Sequence, residues 1–163
     1  MKNLIIVLLS LFTITLHAQH MKNTQEFINQ LFIAADQHNW QIVEQSFASR
    51  VTLDYSSMTG TPANEVSPKQ IIDSWKGILP GFDYTHHQVS NFIIEQNDTN
   101  AKIFCYGTAT HYLENEKENL WTVVGSYDFN LKKKEEKWLI TEMRFNFKYQ
   151  SGNIALSQLA IKN

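Results

Sequence analysis

The chain has 163 residues, enough for one domain with a real core, and its 43% apolar and 12% aromatic content excludes a disordered segment. A net charge of −2 with scattered lysines carries no nucleic-acid footprint. The single cysteine, Cys105, excludes an intramolecular disulfide, and its place mid-strand among small residues reads as packing.

Met1-Lys2-Asn3 is a short basic start, Leu4 to Leu16 is an almost unbroken apolar run, and Ala18 offers a small residue for cleavage. This pattern predicts a secretory signal peptide over residues 1–18, cut near Ala18–Gln19, and hence an exported, periplasmic or secreted protein. The run is shorter than the ~20 residues that a helix needs to cross the hydrocarbon, and no stop-transfer cluster follows, so no stable membrane insertion is expected once it is removed. Cleavage takes away Lys2 and leaves thirteen basic against sixteen acidic residues, a mildly acidic mature domain.

A first helix is predicted from about Asn23, with Glu26 as its capping-box partner and Phe27, Ile28, Leu31, Phe32 and Ala35 recurring at helical spacing. Asp36 lies four residues after Phe32, on or beside that apolar stripe. A carboxylate against a core is costly without a partner, which singles it out. Asn39 is placed to cap a second short helix carrying Ile42, Val43 and Phe47.

Val51 to Tyr55 alternates as a strand, and a polar loop with Gly60 and Pro62 follows from Ser56 to Val66. Ser67-Pro68 caps and starts a helix through Ile71, Ile72, Trp75 and Ile78, stopped by Pro80-Gly81. Four strand-like runs come next: residues 87–95, 101–112, 120–131 and 138–149. Helices followed by a long antiparallel meander predict an α+β domain over residues 23–149, its helices packed on one face of a curved sheet; the tail, 150–163, is weakly helical.

Alternation sorts the strand side chains. His87 shares a face with Val89, Asn91 and Ile93, and His111 one with Ile103, Cys105, Gly107 and Ala109. Trp121, Val123, Gly125, Tyr127 and Phe129 form a third set. Small residues ending in a histidine suggest a cavity on that face. An acid and an imidazole drawn from separate elements can take a proton from carbon, because the acid fixes the tautomer and stabilises imidazolium. Asp36, His87 and His111 are therefore the candidate catalytic residues, and Tyr55, Tyr127, Trp121 and Asn91 the candidate ligand contacts. Adjacent strand histidines such as His86 and His87 face opposite ways, so no metal site is predicted.

Segment order and spacing resemble the SnoaL-like group of the nuclear transport factor 2-like superfamily, and within it the scytalone dehydratase branch. The residues carrying the likeness are Asp36 four before Trp40, Asp54-Tyr55 with the tyrosine fifteen after Trp40, Thr85-His86-His87, and His111. The resemblance implies a cone-shaped fold enclosing a pocket and a cofactor-independent lyase or isomerase. It also implies a small apolar or carbonyl-bearing partner and a possible homo-oligomer. The chain departs from that branch at Ala35, where a tyrosine stands there, and at Tyr127, where an asparagine does. The acid–histidine pair is also similar to that of dehydrochlorinases and bile-acid dehydratases, so it suggests a chemistry more than a substrate. A non-catalytic periplasmic binding or interaction module of the same fold is the alternative.

Overall fold

The computed structural model describes residues 24–162. The apolar run, its cleavage region and the Asn23 cap lie outside them. Helix α1 covers 24–36 and ends through a Schellman arrangement: His38 takes a positive φ of 55°, its N–H reaches the Ala35 carbonyl, and the Asn39 N–H reaches the Ala34 carbonyl. Asp36 thus occupies the last helical position.

Helix α2, Trp40–Gln45, is capped by the Asn39 side chain, which accepts from the Ile42 amide. Phe47, expected on that helix, instead opens strand β1, Phe47–Asp54. The Ser46 hydroxyl bonds back to the Ile42 carbonyl and the helix ends there. The loop expected from 56 to 66 holds two short elements, helix α3 (Ser56–Thr59) and strand β2 (Asn64–Val66). Helix α4, Pro68–Lys76, begins with a complete capping box between Ser67 and Gln70 and buries Ile71 and Ile72.

A 3₁₀ turn, Leu79–Gly81, leads into the long strands β3 (Tyr84–Gln96), β4 (Asn100–Tyr112), β5 (Leu120–Lys134) and β6 (Lys137–Gly152). The sheet order is β2-β1-β6-β5-β4-β3. Every pairing is antiparallel except β1 with β6, so the sheet is mixed.

Burial fixes which face is inside. Along β4, Ala101, Ile103, Cys105, Ala109 and His111 are buried while their neighbours are not. Helix α1 lies over this face with Ile28, Leu31 and Phe32 in the core, and Phe32 touches the rings of His87, Tyr127 and Phe129. Residues 156–162 form helix α5, whose Leu156 and Ala160 are buried. The Ala160 backbone passes so close to Gly81 that a Cβ there would stand 1.9 Å from its carbonyl oxygen. The tail thus packs as part of the core.

One irregularity changes the sequence-based facing. Ser90 pairs with Tyr106 and Ile93 with Phe104, so Asn91 and Phe92 together oppose one residue of β4. Asn91 takes φ 56°, a left-handed conformation that asparagine tolerates better than most residues. Beyond this bulge the phase inverts: Phe92 and Ile94 pack on the core, and Ile93 is exposed.

Candidate active site

The inner face encloses a cavity of about 400 Å³, within the range of small-molecule sites. Phe32 and Ala35 form its helical roof, and His87, Ala109, His111 and Trp121 form one side of its floor. Tyr55, Tyr127 and Phe145 form another. Met58 and Thr59 of α3 and Ser74 and Trp75 of α4 edge it. Among the described residues, no lysine, arginine, aspartate or glutamate lines it.

Asp36 sits behind this wall and is tied to β3 three times. Its Oδ1 accepts from the Thr85 hydroxyl at 2.8 Å and lies 2.6 Å from His87 Nδ1. Its Oδ2 accepts the His87 backbone N–H at 2.8 Å. Placing a carboxylate at the C-terminal end of a helix opposes the macrodipole. Burial also pushes the carboxyl upward, but the His87 ring, the His87 amide and the Thr85 hydroxyl outweigh it and hold Asp36 below its ordinary value.

An ionised carboxylate only accepts, so Nδ1 of His87 carries a proton, and in the neutral ring Nε2 is the free base. The His87 ring lines the cavity, stacked on Phe32 at 5.6 Å between centroids.

His111 is buried, with its ring 5.8 Å from that of His87 and nearly perpendicular to it. Its Nδ1 lies 3.3 Å from the Trp121 carbonyl and donates to it, which leaves Nε2 unprotonated. Burial, with the His87 ring adding to it, lowers its pKa to about 4, so the ring is neutral near pH 7. Trp121 stacks on His111 at 4.6 Å and anchors its own indole N–H on Gln150 at 3.0 Å.

Tyr55 and Tyr127 both line the cavity, each in contact with Phe145. Burial pushes both hydroxyls well above the usual phenol range, so they are donors at any physiological pH. Among the described residues neither hydroxyl has a protein hydrogen-bond partner.

Of the residues singled out in the sequence, six meet at this cavity or directly behind it: Asp36, His87, His111, Tyr55, Tyr127 and Trp121. Asn91 does not. It is exposed, its amide oxygen accepts from Ser90, and the bulge removes it from the face that alternation assigned to it. The cavity expected on the small-residue face of β4 opens at Ala109 and His111, while the space above Gly107 is taken by the Tyr127 ring. Sequence reading passed over the hold of Thr85 on Asp36 and the edge formed by Met58, Thr59 and Ser74. A polar loop and an exposed helix serine give no periodic signal of facing a cavity. Phe32 and Trp75 stood on predicted apolar stripes and were detectable as core only.

Cys105 is buried with its thiol pushed up to about 12 by burial and by the Asp128 charge. Arg144 is held by Asp54 at 2.9 Å and lies outside the cavity. Among the described residues no three His, Cys, Asp or Glu side chains converge as a metal site, and no helix is long and apolar enough to cross a membrane.

The SnoaL-like domain family matches residues 17–144. No curated protein matches the chain by sequence. Among solved structures, the Kfla4162 protein of Kribbella flavida is 22% identical with a TM-score of 0.76, over 82% of this chain and 93% of that one. A protein of Novosphingobium aromaticivorans provisionally named scytalone dehydratase is 15% identical with a TM-score of 0.69, over 83% and 88%. The hexachlorocyclohexane dehydrochlorinase LinA-type3 of Novosphingobium barchaimii is 10% identical with a TM-score of 0.69, over 85% and 92%. At these identities the likeness carries the fold, the nuclear transport factor 2-like cone, while the family match runs through α1 and into β6. The chain belongs to the SnoaL-like domain family.

Proposed function

We propose that the protein is an exported, cofactor-independent lyase or isomerase acting on a small, uncharged, carbonyl-bearing molecule. The observation carrying this reading is the Asp36–His87 contact of 2.6 Å in the wall of an apolar cavity. Nε2 of His87 takes a proton from the carbon next to the carbonyl, and Asp36 stabilises the imidazolium that forms. The electron pair left on carbon moves onto the carbonyl oxygen, where the Tyr55 and Tyr127 hydroxyls donate hydrogen bonds to the enolate. His111 is neutral with its N–H held by Trp121, so toward the cavity it accepts, orienting a substrate hydroxyl. When that hydroxyl departs, the proton on His87 goes with it and water is lost. In a substrate with a carbon–carbon double bond next to the deprotonated carbon, return of the same proton to the far carbon of the dienolate gives isomerisation instead.

The test uses 1-tetralone and cyclohexanone in deuterium oxide, following loss of the α-proton signal by NMR. The wild type is expected to catalyse exchange and His87→Ala to lose it by roughly 10²–10⁴-fold. Equal exchange by the folded variant sinks the proposal. Ketone binding with no exchange in the wild type supports the binding module instead.

A further inference from the structure

The cavity's floor is shaped by two glycines that face each other across neighbouring strands, Gly107 of β4 and Gly125 of β5. Neither has a positive φ, so their backbones are open to any residue and space alone is at stake. A Cβ on Gly125 would meet the Asn146 carbonyl oxygen and the Phe145 ring at 2.5 Å, a collision with backbone. A Cβ on Gly107 would meet only the edge of the Tyr127 ring, at 2.4 and 2.8 Å. The missing side chain at 107 is therefore a recess into which Tyr127 sinks against the sheet.

Carbon atoms rest about 3.5–4.0 Å apart, so an alanine at 107 would drive the ring back by about 1 Å. Phe129 stacks on Tyr127 at 5.6 Å, Phe145 lies against it at 4.9 Å, and Phe32 covers it at 5.0 Å. The side left open to the ring is the cavity that it lines. Gly107 touches no ligand itself; through Tyr127 it sets how deep the cavity is.

The chemistry of the same wall bounds the occupant. Among the described residues no lysine or arginine lines the cavity, and the Asp36 carboxylate lies directly behind His87, so an anionic ligand would find no such partner and a nearby negative charge. Among the described residues the Tyr127 hydroxyl lacks a partner, so an oxygen on the ligand would complete it. We infer that Gly107 is a specificity-determining residue: by recessing Tyr127 it deepens the cavity and admits uncharged, oxygen-bearing ligands too large for the space that a displaced ring would leave. This inference rests on the reading of the cavity as a ligand site, and not on catalysis there.

The test measures binding of 2-naphthol, phenol and 2-naphthoate to the purified protein by ligand-observed NMR. The wild type is expected to bind both neutral probes and to hold 2-naphthoate at least about tenfold more weakly than 2-naphthol. Gly107→Ala is expected to weaken 2-naphthol by about tenfold or more, the scale of one methylene group in a snug pocket, with phenol changed less than about twofold. In a Tyr127→Ala background the same substitution is expected to change neither, because the ring that it displaces is gone; this pair also relieves the clash should Gly107→Ala alone fail to fold. An effect of Gly107→Ala that is equal for both probes, absent, or persistent without the Tyr127 ring overturns the inference, as does a wild type that binds neither probe or prefers the anion. Binding that follows the predicted pattern without deuterium exchange in the ketone assay leaves this inference standing while removing the catalytic one.

Discussion

Replacing Asp36 by asparagine removes one charge and keeps the shape, and the three bonds to β3 determine the cost. The carboxylate accepts from the Thr85 hydroxyl, the His87 ring and the His87 amide. An asparagine has one accepting oxygen and one donating NH₂. If the oxygen faces the ring and Thr85, the NH₂ confronts the His87 N–H, and neither donor can be satisfied by the other. If it is flipped, the NH₂ faces Nδ1, and the ring must give up that proton to accept, moving it to Nε2 and losing the free base.

Leaving one buried donor unmade costs about 1–3 kcal/mol, and the surviving bonds lose their charge assistance. We predict that Asp36→Asn lowers stability by about 1–3 kcal/mol at pH 7 and reduces ketone exchange by roughly 10²–10⁴-fold. The pH dependence has a definite sign. Asp36 is held below its ordinary value of 3.8, so its contribution is complete above that pH and is lost as pH falls through the lowered folded value. Urea unfolding from pH 7 to pH 3 should therefore show a constant gap between wild type and variant down to about pH 4, narrowing below it. Equal stability at pH 7, or a gap that widens in acid, would refute the reasoning.

Thr85→Val keeps the shape and removes one donor from Asp36, with an expected loss of about 1–2 kcal/mol in urea unfolding, most of it recovered by Thr85→Ser. His111 carries a folded pKa of about 4 against an ordinary 6.5, so it contributes stability above pH 6.5 that declines as pH falls from there toward 4. The decline is on the order of 3 kcal/mol over that window, and His111→Phe should flatten it, as followed by denaturation midpoints at successive pH values. Leu156 is fully buried beside the cone, and Leu156→Ala should cost about 2–5 kcal/mol in thermal unfolding; a change near zero would mean that α5 is a loose tail.

The sequence carried some of these features openly and others not at all. The order of the main elements was readable from helical and strand periods, and Ser67-Pro68 marked the start of α4, although that helix ends at Lys76, short of the expected Ile78, and the short α3 and β2 gave no such signal. Asp36 stood out as a carboxylate on an apolar stripe, and the same stripe brings it to β3. Asn91 shows where alternation stops informing: one inserted residue inverts the facing of every side chain after it, and only a left-handed asparagine marks the spot. Gly107 was readable as small, but what fills the space above it is Tyr127 of the neighbouring strand, beyond the reach of any local pattern. The helix at 156–162 was faint because two buried residues, Leu156 and Ala160, carry its packing.

The most direct test of the Asp36–His87 pair is ¹⁵N NMR of the histidine rings at pH 7. The account predicts that neutral His87 holds its proton on Nδ1, with slow exchange, and that Asp36→Asn disturbs this signal while those of exposed His38 and His86 stay unchanged. A neutral His87 protonated on Nε2, or one averaging between tautomers as a free imidazole does, would contradict it.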